Sequence, residues 1–311
     1  MSYEHVPVLL KECIEGLNIR DGGIYVDLTL GRGGHSSEIL KRIPNGKLFA
    51  FDQDEEAMQP SRNRLESIGN PFELIASNFE NVKAELAKRG VHQVDGILAD
   101  LGVSSPQLDD PKRGFSYKED EPLDMRMDLT NPLTAARVCN EYSLSELTRI
   151  LRQYGEEKDA YRIAQSILRK REVSPLRTTL DLVQCVKESK TSKELSKKGH
   201  PAKQTFQAIR IEVNHEEASL CRMLQDAPSL LKSGGRLAII TFMSIDDRVV
   251  KDRFRELSTI EGSRHGPALL PEQIGTPEFR LVNRKPIVPT EAELDANHRA
   301  ASAKLRILEK R

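Results

Sequence analysis

At 311 residues the chain is longer than one hydrophobic core usually organises, so one large domain plus a second or inserted one is expected. Its 38% hydrophobic and 30% charged residues exclude a disordered chain, and no run approaches the roughly 18 apolar residues of a membrane span. With 47 basic and 47 acidic side chains, net charge argues neither for nor against a nucleic-acid partner.

Cys13, Cys139, Cys185 and Cys221 lie far apart without a Cys-x-x-Cys pair, so neither a disulfide framework nor a thiolate zinc site is suggested, and no metal is expected. The opening Met1-Ser2-Tyr3-Glu4-His5 lacks the basic and apolar regions of a signal peptide. A cytoplasmic protein away from the membrane is the expectation.

In chain order, an apolar run at 23–29 reads as a strand, and 33–42 then turns helical. The rhythm repeats: strand 47–52, helix 55–68, strand 72–76, helix 79–89, strand 94–100. Such alternation predicts a parallel sheet with helices on both faces. From 102 to 132 the chain is rich in Pro, Gly, Ser and Asp, and helical patterns then dominate to about 211, with Leu144, Leu147, Ile150, Leu151 and Tyr154 at helical spacing. The α/β rhythm resumes with a helix at 220–231, a turn at 233–235 and a strand at 236–242; later strands fall at 280–284 and 303–308, and 295–301 is ambiguous. The expected organisation is an α/β core in two parts, 1–106 and 216–311, around an inserted, mainly helical domain at 107–215.

The segment from Asp27 to His35 places Gly31, Gly33 and Gly34 where a strand must turn sharply into a helix and let a ligand approach the backbone. About twenty residues on, Asp52 ends the second strand, where a carboxylate can accept both hydroxyls of a ribose. An adenosine-type cofactor fits both features. A dinucleotide fingerprint wants a third glycine at the sixth position counted from Gly31, and Ser36 stands there, which weakens a nicotinamide reading. Phe79 reads as core or as a face for adenine. His35 reads as a packing or capping residue before a catalyst. Asp100, closing the fourth strand, faces the crevice in which open α/β sheets bind ligands.

Between Arg162 and Arg210 the chain carries twelve Lys/Arg against four acids. A phosphate backbone is the natural partner of such a segment, and a solvated helical face is the alternative.

Several blocks resemble one family closely, the RsmH (MraW) methyltransferases of bacteria, which methylate the exocyclic amine of a cytosine in 16S ribosomal RNA. They are HVPVLL (5–10), TLGRGGHS (29–36), DGILADLGVSSPQL (95–108), RGFS (113–116), PLDMRMD (122–128), YGEE (154–157), TFQAIRIEVN (205–214), SGGRL (233–237) and SAKLR (302–306). The resemblance spans nearly the whole chain. It implies a class I methyltransferase fold, a Rossmann-like doubly wound sheet with an inserted helical substrate-recognition domain. S-adenosyl-L-methionine is the implied cofactor, held by Gly33, Gly34, His35, Asp52, Phe79, Asp100 and Gln107. The implied partner is 16S rRNA in the small ribosomal subunit, at a decoding-centre cytosine. The chain departs from the family pattern at Met243, where a histidine is usual in a Phe-His-Ser-Leu-Glu-Asp-Arg block. It departs again at 297–304, which lacks the usual proline and second arginine.

A cytosine amine is a poor nucleophile, because its lone pair is delocalised into the ring. Asp100, with the backbone carbonyls of 101–104, is therefore expected to orient it and help its proton leave. Arg210 and Asn214 are expected to face the substrate and Lys203 to hold phosphate; the competing reading makes 205–214 an ordinary buried helix with Phe206, Ile209 and Val213 as core. Two other functions compete. A DNA amino-methyltransferase would carry an Asp/Asn-Pro-Pro-aromatic motif where Leu101-Gly102-Val103 stands. A ribosome-assembly factor could bind S-adenosylmethionine without turnover. A homodimer is left open.

Overall fold

The structure, a computed structural model, describes residues 7–260 and 275–311. The opening Met1 to His5, and Val6 of the first matching block, lie outside the described residues. The chain falls into two compact units, residues 1–102 with 218–311 and residues 103–217.

The first unit is built on strands β1 (Ile24–Asp27), β2 (Lys47–Asp52), β3 (Phe72–Ala76), β4 (Val94–Asp100), β5 (Leu231–Thr241), β6 (Phe279–Leu281) and β7 (Lys304–Lys310). They form one sheet in the order β3-β2-β1-β4-β5-β7-β6. β7 is antiparallel to both of its neighbours, and the other pairings are parallel. The central strands read as continuous apolar runs because both faces are covered. Val26, Phe49, Phe51, Ile97, Ala99 and Ile239 point into one core with Leu86, Met223 and Phe254 from the helices Val82–Lys88, Glu216–Asp226 and Ser244–Leu257. The alternating Tyr25, Leu48, Ala50, Leu98 and Ile240 meet Cys13, Leu40 and Leu65 of Leu10–Leu17, Gly34–Leu40 and Glu55–Glu66 on the other side. This is a doubly wound, Rossmann-like α/β sheet, and its chain reversal leaves the ends of β1 and β4 side by side.

The second unit has its own core of Leu147, Ile150, Ile163, Ile167, Leu182, Val186, Phe206 and Ile209. Its main helices are Ala135–Glu141, Leu144–Gln153, Ala160–Val173, Thr179–Ser189 and Lys203–Asn214. Two of them open with reciprocal caps, Ser143 with Glu146 and Thr178 with Asp181, each satisfying amides that a helix start leaves unpaired.

Several local expectations change. The helix expected at 79–89 begins as a 3-10 turn, Phe79–Asn81. The one expected at 220–231 starts at Glu216, ends at Asp226 and passes into a 3-10 turn that contains Pro228, which has no amide to donate. The turn at 233–235 lies inside β5 as an irregularity opposite 94–96, with Gly234 at φ +77°. The ambiguous 295–301 is the end of helix Glu291–Ala296 followed by a 3-10 turn, His298–Ser302. Helices Leu10–Leu17 and Ser244–Leu257 were not expected. Among the described residues no helix is long and apolar enough to cross a membrane.

Candidate active site

The site is built on the carboxyl ends of β1 to β4. β1 ends at Asp27, a buried carboxylate that accepts hydrogen bonds from the Ser36 hydroxyl (2.6 Å) and the Thr29 amide (3.0 Å). The Thr29 hydroxyl in turn accepts from the Asp100 amide at 2.6 Å, tying the chain after β1 to the end of β4. Sequence reasoning assigned no role to Asp27, Thr29 or Ser36; the Asp-x-Thr spacing at the strand end was the available signal. Between them Gly33 takes φ +70°, a left-handed conformation that a side chain disfavours, and starts the helix Gly34–Leu40. A Cβ on Gly34 would run into the Pro7 ring.

Asp52 is half-buried at the end of β2. One of its oxygens accepts from the Gly31 amide and the other from the Asp54 amide, both at 2.9 Å. Each oxygen keeps a lone pair for a further donor, as two ribose hydroxyls would require. Burial pushes its carboxyl up to about 6, with those two amides pulling the other way.

Asp100 closes β4. Its Oδ1 is buried and has no hydrogen-bond partner among the described residues, while Oδ2 stands 3.9 Å from Nδ1 of the buried His35. The other ring nitrogen of His35 lies 3.0 Å from the Val8 carbonyl. Burial raises the Asp100 carboxyl to about 6; His35 opposes that rise and Asp27 adds to it. An orphaned buried acceptor is a costly thing to leave without a donor, and it marks the place where a polar ligand group belongs.

Phe79 follows β3, half-buried, with one side packed on the core shared by Val82 and Leu86. Asn78 caps its turn through the Glu80 amide (3.0 Å) and donates to the Gln53 side chain at 2.7 Å, joining the ends of β2 and β3. Gln53 and Asn78 were missed from the sequence, where nothing distinguishes them from loop residues.

Gly33, Gly34, His35, Asp52, Phe79 and Asp100 thus gather on four neighbouring strand ends of one unit. The remaining candidates lie in the second unit. Gln107, on the short helix Ser105–Asp109, is buried, and its side chain accepts from the Ser104 amide at 3.0 Å. Lys203 is exposed at the start of Lys203–Asn214. Arg210, expected to face substrate, makes a two-pronged ion pair with Glu216 at 2.8 and 2.9 Å. Asn214, expected to do the same, is buried. Its amide donates to the carbonyls of Met125 (2.8 Å) and Arg210 (2.9 Å) and accepts from the Met127 amide (2.7 Å), so it clamps the PLDMRMD loop instead of reaching outward. Phe206, Ile209 and Val213 of that helix are core.

The two blocks that depart from the family pattern meet in space. Met243 caps Ser244–Leu257 without a side-chain capping bond. One turn on, Asp247 receives both prongs of Arg306 (2.7 and 3.1 Å) and Lys304 at 3.2 Å, pinning that helix to β7.

Residues 2–311 match the MraW methylase family. The chain belongs to that family. Relatives named ribosomal RNA small subunit methyltransferase H include those of Limosilactobacillus fermentum and Finegoldia magna. The first is 50% identical over 314 residues, covering 99% of each chain. The second is 48% identical over 317 residues, covering 100% of this chain and 99% of the relative. A third, from Exiguobacterium sibiricum, is 51% identical over 308 residues, covering 99% of this chain and 98% of the relative. The family is one of methyltransferases, and its methyl donor is S-adenosylmethionine. The residues described above fit that donor: a carboxylate with two free lone pairs at Asp52, a left-handed glycine turn at Gly33 leading into a helix, and an unpaired buried acceptor at Asp100.

Proposed function

We propose that the protein methylates the exocyclic N4 amine of a decoding-centre cytosine in 16S rRNA, with the small ribosomal subunit as substrate. The observation that carries the reading is the buried, unpartnered Oδ1 of Asp100 at the end of β4. The relatives' shared name supplies the ribosomal target.

S-adenosylmethionine, held at these strand ends, supplies a methyl group on an electrophilic sulfonium. Asp52 would accept the ribose hydroxyls, Phe79 would offer a face to adenine, and the turn through Gly33 and Gly34 would present its backbone to the cofactor. Asp100 Oδ1 accepts an N–H of the cytosine amine, fixes its orientation and takes up its proton as the nitrogen is alkylated. With its carboxyl near 6, Asp100 is ionised at neutral pH yet basic enough to accept that proton. The base reaches the site unstacked from its neighbours, since its amine is inaccessible within a helix.

The test is turnover by Asp100→Ala on small subunits with labelled S-adenosylmethionine. Loss of positioned acid–base chemistry predicts a fall of about 10²–10⁴ in kcat, larger than any weakening of S-adenosylhomocysteine binding. Full activity in the variant would remove Asp100 from the mechanism. Wild-type protein that binds the cofactor and transfers nothing would favour the binding-only assembly factor.

A further inference from the structure

The twelve cations of the basic segment look alike in sequence, and the structure separates nine of them into two kinds. Arg171 donates to the carbonyls of Cys139 (3.0 Å) and Tyr142 (2.7 Å), Arg210 pairs with Glu216, and Lys170 lies 3.7 Å from Asp181. Lys190 is the most committed. Its ammonium sits 2.9 Å from a carboxylate oxygen of Glu157 and 2.9 Å from the Pro201 carbonyl, with side-chain exposures of 9% for Lys190 and 2% for Glu157. These cations build the unit.

Lys187, Lys193, Lys197, Lys198 and Lys203 are of the other kind: all are exposed, and none forms an ion pair among the described residues. The chain that carries them is held in shape. Lys190 ties position 190 to position 201 and so closes the intervening residues into a loop. Inside it, Thr191 and Glu194 cap the one-turn helix Ser192–Leu195 reciprocally. At its far end His200 stacks flat on Tyr117, centroids 4.2 Å apart and planes 10° apart, and Tyr117 meets Phe206 edge-on at 5.5 Å. Burial, and then the charge of Lys187, hold the His200 imidazole below its ordinary value, which suits a stacked neutral ring. The acids of the stretch offset the lysines only in part: Glu194 serves the cap while Lys197 acts on its charge, and Glu188 is hydrogen-bonded to Gln184 at 2.8 Å.

We propose that the closed loop 190–201, with Lys187 and Lys203 flanking it, is a preorganised holder for the RNA phosphate backbone. Five like charges on a braced loop repel one another until an anion meets them. They are spread along the chain instead of converging on one point, which suits a polyanion better than a single phosphate. The inference rests on RNA being the substrate, and it selects these lysines as the ones that touch phosphate, leaving Lys170, Arg171, Lys190 and Arg210 to structure.

The test compares wild type with a Lys193→Gln, Lys197→Gln, Lys198→Gln, Lys203→Gln variant in equilibrium binding to 16S rRNA and to small subunits across salt. Each lost phosphate contact should lower the slope of log affinity against log salt by about 0.7–0.9, so a total reduction of about 2–4 is expected, with at least a tenfold loss of affinity at low salt. KM for the subunit should rise in step, with S-adenosylhomocysteine binding unchanged. Lys88→Gln with Lys251→Gln removes exposed charge elsewhere and should leave the slope alone. Replacing the buried pair together, Glu157→Leu with Lys190→Met, leaves no stranded charge; it should weaken binding at an unaltered slope by loosening the loop. Unchanged affinity and slope in the four-lysine variant would overturn the inference while leaving the methyl-transfer reading intact. Salt-dependent binding through these lysines without methyl transfer would uphold the inference and sink that reading.

Discussion

His35 Nδ1 faces Asp100 Oδ2 across 3.9 Å while Nε2 of the same ring lies 3.0 Å from the Val8 carbonyl. A carbonyl only accepts, so Nε2 carries the hydrogen and the ring is locked with its other nitrogen toward the carboxylate. Nδ1 acts on Asp100 when it too carries a hydrogen, and the cationic ring then opposes the upward push of burial on the carboxyl through its charge across that gap.

Removing His35 should accordingly move a pH profile. Without its opposing influence the Asp100 carboxyl rises above about 6, and the acid limb of kcat against pH moves upward. His35→Leu should lose more activity at pH 6.5 than at pH 8.5, by roughly tenfold for each pH unit that the limb travels. A uniform loss at all pH values would reduce His35 to packing.

Cofactor affinity should fall in mild acid. Asp52 and Asp100 are both raised from the ordinary 3.8 to about 6, so each takes up a proton as pH drops through that value and can no longer act as a full acceptor. S-adenosylhomocysteine that draws on the ionised carboxylates should bind best above pH 7, weaken below pH 6 and release protons on binding near pH 6. Calorimetry in buffers of different ionisation enthalpy reads the proton count, which Asp52→Asn should lower. A flat affinity from pH 5 to 8 would remove both groups from the binding site.

Gly34 tests how tightly the turn is packed. In Gly34→Ala the new methyl meets the Pro7 ring, and overpacking of this kind destabilises by about 1–3 kcal/mol. Lower thermal stability together with weaker S-adenosylhomocysteine binding is expected. Wild-type values of both would show that Pro7 yields freely.

The Asp247–Arg306 pair is almost wholly buried, with exposures of 8% at each residue. Asp247→Ala strands the guanidinium, which typically destabilises by about 3–5 kcal/mol and should lower Tm by about 10 °C. Arg306→Met with Asp247→Leu should recover most of that loss. A Tm unaffected by Asp247→Ala would mean that Arg306 finds solvent.

Much of this was legible in sequence. The bounds expected for β2, β3 and β4 coincide with those observed, because parallel strands covered on both faces are continuous apolar runs closed by turn residues. Ser36 likewise weakened the dinucleotide reading of the turn, and its hydroxyl is bound to Asp27. Helices without ordinary starts were harder. Leu10–Leu17 lies between Leu9 and Asn18, both left-handed, with no capping side chain, and Ser244–Leu257 starts at an uncapped Met243. Asn214 shows the deeper limit. Its partner amide, that of Met127, is 87 residues away in sequence, and no local pattern announces that a loop will close on a helix so distant. The basic segment failed to sort itself for the same reason, since Lys190 differs from Lys193 in having Glu157 and the Pro201 carbonyl beside it.

The most direct measurement is to incubate the protein with labelled S-adenosylmethionine and small ribosomal subunits from a strain lacking the family enzyme, and to map the product by mass spectrometry. The account predicts one methyl group on the N4 amine of a decoding-centre cytosine, with Met243 tolerated. A methyl group on another atom or base, or a bound cofactor with no transfer to RNA, would contradict it.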